Sequence, residues 1–450
     1  MNALRLFLTS SVATFFLSQG VCATITNAEL ESQPGLFCSN YVPYESSVKS
    51  INKLRTGVFD FPTLSEAPAG YTPFYISHYG RHGSRYHYSQ DDYKYIADVF
   101  VKAAAESGLT PFGMQLFVEM QQICQDADKR AGDLTPLGRE QHRGIARRMV
   151  KNFPEVFSGE NKKVDAKSTT VLRCALSMTS FCQELNKICP NVAIDNDASE
   201  KYQNYMCHGK VVGDFSGDNS NPELQAFYEK RDVGNEVLDK IFSNKNTIKK
   251  YVNKQKFVST LYYMLVSLQC VDVDNLDERN CSLTKVFSIK ELESQWQSHN
   301  LYWYKDYSNC PMNGGKGKNA AKFLVEQIRI EADAAIAGNG AAANLRFGHD
   351  TGLIPLVSLL NLDGIGDPHK DLELLHNYWQ DFSVSPMAGN LQMIFYRKND
   401  SSSDSQILVK FLLNEREVKL PSDKPTVTGC YYDWKVIRDY FSELERTVLP

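Results

Sequence analysis

Residues 72–79 (TPFYISHY) crowd aromatic and β-branched side chains into a run too short for a helix and stop at Gly80, which predicts a buried strand. A helical spacing follows over residues 91–107, with Tyr93, Ile96, Phe100 and Ala103 on one stripe and Gly108 as its stop. Thr135-Pro136 supplies an N-cap and a first-turn proline for a helix reaching about Met149. A second short strand is expected at residues 168–172 (STTVL), with a helix behind it over 177–188. Strand, helix, strand, helix in that order predicts an α/β chain whose parallel sheet is covered on both faces.

From about residue 201 to 319 this rhythm is lost. Residues 224–242, 257–269 and 289–303 carry helical spacing, and few strand-like runs separate them. A helix over 320–337 then leads through Gly338-Asn339-Gly340 to a strand at 343–347, followed at once by Gly348-His349-Asp350 and an apolar helix over 353–360. Residues 390–397 and 406–413 flank the turn-rich tract 399–405, so the sheet should finish with an antiparallel hairpin. With 450 residues, more than one core accommodates, the chain is expected to divide. The expected architecture is an α/β, three-layer core with a mostly parallel sheet, built from residues 71–200 and 320–450. A mainly helical inserted cap occupies 201–319, and 24–70, punctuated by Pro34, Gly35, Pro43, Pro62, Pro68 and Gly70, reads as an irregular N-terminal segment.

Residues 1–23 differ from the rest. Arg5 precedes a mostly apolar stretch over 6–17, and Val21-Cys22-Ala23 fits a cleavage site, so the segment reads as a secretory signal peptide and the protein as exported. Thr9, Ser10, Ser11 and Thr14 interrupt a run already shorter than a bilayer requires, which argues against stable membrane insertion after cleavage; a lipidated Cys22 is the third reading. Cleavage leaves ten of eleven cysteines, an even number compatible with disulfides in an exported chain. Asn280-Cys281-Ser282 and Asn399-Asp400-Ser401 are glycosylation sequons. The net charge of −4, with no basic tract, disfavours nucleic acid as a partner. Oligomeric state is not specified by the sequence.

Arg81-His82-Gly83-Ser84-Arg85 follows the first predicted strand, at the edge where α/β sheets bind ligands. Two guanidiniums bracketing one imidazole make a cradle for a phosphate dianion, because the planar fork matches phosphate oxygens and keeps its charge. Adjacent cations lower the imidazole's pKa and hold it neutral, hence nucleophilic, under mildly acid conditions. An alcohol leaving group needs a proton, and His349-Asp350 at a later strand end offers a carboxylic acid beside a second imidazole. Arg173, closing the second predicted strand, would add a third guanidinium.

RHGSR near the N-terminus and GHD far downstream, with LTPLG at 134–138 and STTVLR at 168–173 between them, resemble the histidine acid phosphatase family. The phrases YISHYGRHGSRY (75–86) and LRFGHDTGLIPLVSLL (345–360) are most similar to its multiple inositol polyphosphate phosphatase and phytase-like branch. The resemblance covers about residues 70–420. It implies a phosphomonoesterase acting on inositol polyphosphates, with His82 as nucleophile, Asp350 as proton donor, and Arg81, Arg85, Arg173 and His349 binding the phosphoryl group. It implies a small-molecule phosphomonoester substrate, no cofactor and no metal. Two departures stand out. His87 occupies a position often held by proline, and His349-Asp350 replaces the His-Ala-Glu usual in the inositol polyphosphate branch.

Competing readings are narrower. His78, His82 and His87 as metal ligands would be scattered by a strand-to-loop transition, and Arg81 and Arg85 would repel a cation. His78 is expected as a structural hydrogen-bonder, and Arg143, Arg147 and Arg148 as solvated helix residues. Residues 313–318 (NGGKGK) lack Walker spacing and read as a linker. The alternatives to an inositol polyphosphatase are a broad-specificity acid phosphatase, a mutase-type phosphotransferase, and a non-catalytic phosphate- or phosphoinositol-binding protein.

Overall fold

The computed structural model describes residues 27–206, 221–271, 273–399 and 406–447. The expected signal segment, Cys207 and the hairpin tip 400–405 lie outside the described residues. Eight strands form one sheet: β1 Tyr71–Arg81, β2 Lys163–Ser168, β3 Ala193–Ala198, β4 Ala343–Gly348, β5 Asn390–Lys398, β6 Ile407–Leu413, β7 Arg416–Val418 and β8 Tyr432–Asp433. Their order is β3-β2-β4-β1-β5-β6-β7, with β8 also on β6. The half β3-β2-β4-β1 is parallel. From β1 onward the pairing is antiparallel, as the late hairpin predicts, so the sheet as a whole is mixed.

Side-chain alternation along the central strands divides the core into two layers. Tyr75, Tyr79, Met393 and Phe395 point to one face, covered by helices Lys322–Ile336, Asp350–Leu359 and Trp434–Thr447. Ile76, Ile394, Leu345 and Phe347 point to the other, covered by Tyr44–Thr56, Pro136–Asn152 and Leu172–Ile188. This is the three-layer α/β arrangement expected from the sequence. A separate apolar cluster, including Phe100, Leu116, Ile241, Phe257, Leu261 and Trp296, holds a helical body together. Its helices are Gln90–Ala105, Pro111–Asp126, Asn235–Ile241, Lys254–Ser267 and Ile289–Tyr307, so it draws on residues before 201 as well as after.

Several elements differ from the sequence expectation for identifiable reasons. The second strand is KVDAKS (163–168), not STTVL: Val164, Ala166 and Ser168 are buried in alternation, while Leu172 already opens a helix. The segment 24–70 is not irregular throughout. It contains a 3-10 stretch Pro34–Tyr41 and a helix Tyr44–Thr56. Pro34 sits in the first turn and Pro43 at the N-cap, positions that need no amide hydrogen, so both prolines start helices rather than interrupt them. The nine described cysteines are all free, so the disulfides expected of an exported chain are not formed among them.

Candidate active site

Because β1 and β4 are adjacent, parallel and in register from Ile76↔Ala343 to Arg81↔Gly348, the residues following them emerge side by side. His82 donates its amide to the Gly348 carbonyl (2.9 Å), and the His82 and His349 ring centroids are 5.8 Å apart. The topology thus unites segments more than 260 positions apart at the carboxyl edge of the parallel strands, the edge that binds ligands in such sheets.

Each side chain is held from behind. The His82 ring lies with Nδ1 2.9 Å from the Gly83 carbonyl, which assigns the hydrogen to Nδ1 and leaves the Nε2 lone pair free. The Gly83 amide donates to Ser177 Oγ (3.1 Å), and the Ser84 amide to Gln141 Oε1 (2.8 Å). Thr135 caps the helix carrying Gln141 and donates its hydroxyl to the Ser84 carbonyl (3.0 Å). The LTPLG segment therefore fixes the RHGSR loop.

Arg81 is fully buried and donates through Nη1 to the carbonyls of Asn40 and Ser385. Its Nη2 lies 2.8 Å from Asp350 Oδ2, a charge contact without hydrogen-bond alignment. Arg85 donates to the Tyr41 hydroxyl (3.1 Å) and the Tyr86 carbonyl (3.0 Å), with its guanidinium 4.8 Å from the Tyr41 ring centroid. Arg173 is half-buried in the first turn of Leu172–Ile188, not at a strand end, because the strand stops at Ser168. It nonetheless faces the site: after burial, its charge is the strongest influence on the His82 ring. Arg81 Nε, Arg85 Nε and Arg173 Nε are buried with no hydrogen-bond partner. Buried guanidinium donors left open are costly unless an anion completes them.

His349 occupies the N-cap position of Asp350–Leu359, with Nε2 3.2 Å from Thr169 Oγ1. Asp350 opens that helix, where the positive dipole end favours a carboxylate. Its Oδ1 accepts the Thr351 amide (2.9 Å) and its Oδ2 the Asn40 side-chain amide (3.0 Å). Burial, then the charges of Arg173, Arg81, Arg85 and His349, holds the His82 pKa well below its ordinary value. Burial and the same arginines bring His349 down to about 4. Burial opposes the Asp350 carboxylate, but Arg81, His349 and Arg85 outweigh it and hold the carboxyl below its usual range. Both imidazoles are thus neutral and the acid ionised around neutral pH. His82 is 1% exposed, against 7% for Arg85 and Asp350 and 9% for His349, so the accessible surface lies on the groups around the ring.

All six residues singled out by the sequence meet here. Sequence reasoning missed Asn40, Tyr41, Gln141 and Thr169. Gln141 lies three residues beyond LTPLG, on the helix that motif starts, which is a usable signal; Asn40 and Tyr41 carry none. The histidines weighed as a metal set are separated: His78 packs between Phe181 and Phe347 with neither nitrogen hydrogen-bonded, and His87 pairs with Asp92 at 2.7 Å. His78 is therefore a core ring, not the expected hydrogen-bonder.

Residues 80–414 match the pattern of the histidine phosphatase superfamily (branch 2). The chain is 22% identical over 395 residues to multiple inositol polyphosphate phosphatase 1 of Gallus gallus, a similarity spanning 84% of each protein. The fold is that of the Bifidobacterium longum multiple inositol polyphosphate phosphatase in complex with inositol hexasulfate (TM-score 0.67, 18% identity, covering 92% of this chain and 97% of that one). It is also that of the phytase from D. castellii (TM-score 0.59, 14% identity, covering 86% and 82%). With the matched pattern spanning most of its length, the chain belongs to branch 2 of the histidine phosphatase superfamily.

Proposed function

We propose that the protein is an exported phosphomonoesterase that hydrolyses inositol polyphosphates through a phosphohistidine on His82. The observation that carries this reading is the ring of open guanidinium donors on Arg81, Arg85 and Arg173 around an imidazole whose Nδ1 is already tied to a carbonyl. Phosphoryl oxygens complete those donors, with His349 as a further one. Nε2 of His82 attacks phosphorus, and the bond to the ester oxygen breaks as that oxygen takes the proton of Asp350. The Gly83 carbonyl stabilises the imidazolium formed. Water then attacks phosphorus and gives its proton to Asp350, the P–N bond breaks, and inorganic phosphate leaves.

Asp350 must be protonated for the first step. The phosphate dianion supplies that change itself. It neutralises Arg81 and Arg85 and adds a like charge beside the carboxyl, both of which raise the acid's pKa.

The inositol polyphosphate class rests on the similarity, across most of both chains, to the inositol polyphosphate phosphatase of Gallus gallus. Export rests on the character of residues 1–23. The test is product profiling on inositol hexakisphosphate beside a panel of simple monoesters, with His82→Ala as control. Preference for the hexakisphosphate by kcat/KM supports the reading. Equal turnover across the panel makes the protein a broad-specificity acid phosphatase, and turnover retained in His82→Ala removes the mechanism.

A further inference from the structure

Behind the carboxyl edge of the sheet, Ser39 holds φ 53° and ψ −147°. That conformation is one essentially reserved for glycine, and a non-glycine residue held there is strained. Something must impose it. The Ser39 hydroxyl donates to Asp381 Oδ2, which is fully buried. Asp381 is itself fixed: Oδ1 accepts Trp296 Nε1 (3.1 Å) and the Phe382 amide (2.8 Å), and its own amide donates to Asn300 Oδ1 (2.9 Å). The consequence of the strained turn is the orientation of the next residue. Asn40, 1% exposed, presents both of its polar ends to the reacting groups. Its main-chain carbonyl accepts Arg81 Nη1, and its side-chain amide donates to Asp350 Oδ2 at 3.0 Å.

We propose that Asn40 is the positioning residue of the proton donor, and that Asp381 acts at one remove by locking the Ser39 turn that aims it. This rests on Asp350 being the donor. Asp350 Oδ2 is engaged by Asn40 and faced by Arg81, while Oδ1 accepts only the Thr351 amide. A carboxyl held by one oxygen cannot rotate about its Cβ–Cγ bond, so the other oxygen carries the proton toward the departing ester oxygen. Asn40 touches neither substrate nor phosphorus in this scheme. Its effect is on the trajectory of one proton.

A proton-positioning role has a signature that a packing role lacks, because demand for the acid depends on the leaving group. In Asn40→Leu, kcat/KM reads the phosphorylation step and not the shared dephosphorylation. On inositol hexakisphosphate, an alkyl ester, it is expected to fall about 10–100-fold, the loss typical of a small misplacement. On p-nitrophenyl phosphate, whose phenolate leaves without help, kcat/KM should fall less than about 3-fold. Ser39→Ala, which breaks only the distant contact to Asp381, should show the same selectivity at smaller amplitude and serves if Asn40→Leu does not fold. The double variant Asn40→Leu/Asp350→Asn should lose no more than Asp350→Asn alone, as expected of residues in one pathway. Equal losses on both esters in Asn40→Leu and Ser39→Ala, with Asp350→Asn still selective, overturn the positioning role and leave the donor assignment standing. Equal losses in Asp350→Asn overturn the donor assignment and this proposal with it.

Discussion

Gly83 and Gly138 meet backbone to backbone: a Cβ on Gly83 would lie 2.3 Å from the Gly138 carbonyl oxygen, and one on Gly138 would lie 2.3 Å from the Ser84 carbonyl oxygen. No side chain fits between the RHGSR loop and the helix that supports it. Gly138→Ala is expected to destabilise the protein by about 1–3 kcal/mol through overpacking. It should also lower kcat/KM on an aryl phosphate at least ~10-fold, because the displaced Ser84 is bonded to Arg85 and, through Gly83, stands two residues from His82. Thermal midpoints and initial rates read both effects. Gly35→Ala, where an added Cβ meets nothing within 4 Å, is the control expected to leave both unchanged.

The same contact explains why LTPLG was legible at all. Thr135 as cap, Pro136 in the first turn and Gly138 at the crossing each have a local physical reason, and all three lie within four residues. RHGSR and GHD were legible because each follows directly on a strand with clear patterning. Where a site residue hangs on contacts rather than pattern, the sequence is silent. Asn40 reaches Asp350 across 310 positions from a segment with no periodicity. Arg173 is legible by type but not by place, since Thr169, Thr170 and Val171 carry β-branched side chains through what is a strand-to-helix connection. An imidazole at a strand end usually hydrogen-bonds, which is what the sequence leads one to expect of His78, and only the packing of Phe181 and Phe347 shows otherwise.

Arg148, expected in solvent, instead forms a bidentate pair with the buried Glu415 (Nε to Oε1 and Nη2 to Oε2, both 2.9 Å) and stacks 3.7 Å from the Phe61 ring centroid. Tyr44 donates to the same carboxylate (3.0 Å). Removing the guanidinium leaves a buried charge with only a phenol, so Arg148→Ala is expected to cost about 3–5 kcal/mol. Arg148→Ala/Glu415→Leu should recover a large part of that loss, since no charge is then stranded. Denaturant midpoints of the two variants decide it: equal destabilisation in both would show that packing, not charge, is what the pair contributes.

Stability should fall as the medium is acidified from neutral. Burial brings His78, His142 and His299 down to about 3, and His349 to about 4, from 6.5. Between the folded and unfolded values the unfolded chain binds the extra proton, so unfolding is favoured as pH drops below about 6.5. Each such ring contributes a slope of up to about 1.4 kcal/mol per pH unit in that window. His78→Leu removes one titrating ring from a site with no hydrogen bonds to lose, and should flatten the dependence of the unfolding free energy on pH between 6 and 4. An unchanged slope would mean that His78 does not stay neutral in the folded protein.

The covalent intermediate is the most direct prediction, and Asp350→Asn is the variant in which to find it. With p-nitrophenyl phosphate the first step needs little acid, so phosphorylation of His82 should proceed. The second step loses the carboxylate that takes a proton from water, so the phosphoenzyme should accumulate. Rapid mixing is expected to show a burst of p-nitrophenol approaching one equivalent per protein, followed by a slow steady rate. Label from the phosphoryl group should stay with the protein in alkali and be released in acid, as a P–N bond requires. Label that survives acid would place the phosphate on a hydroxyl, and label lost in alkali as well as acid would place it on a carboxylate. His82→Ala/Asp350→Asn should show neither burst nor label. A burst in that double variant would take the nucleophile's role away from His82, whatever the chemistry of the adduct.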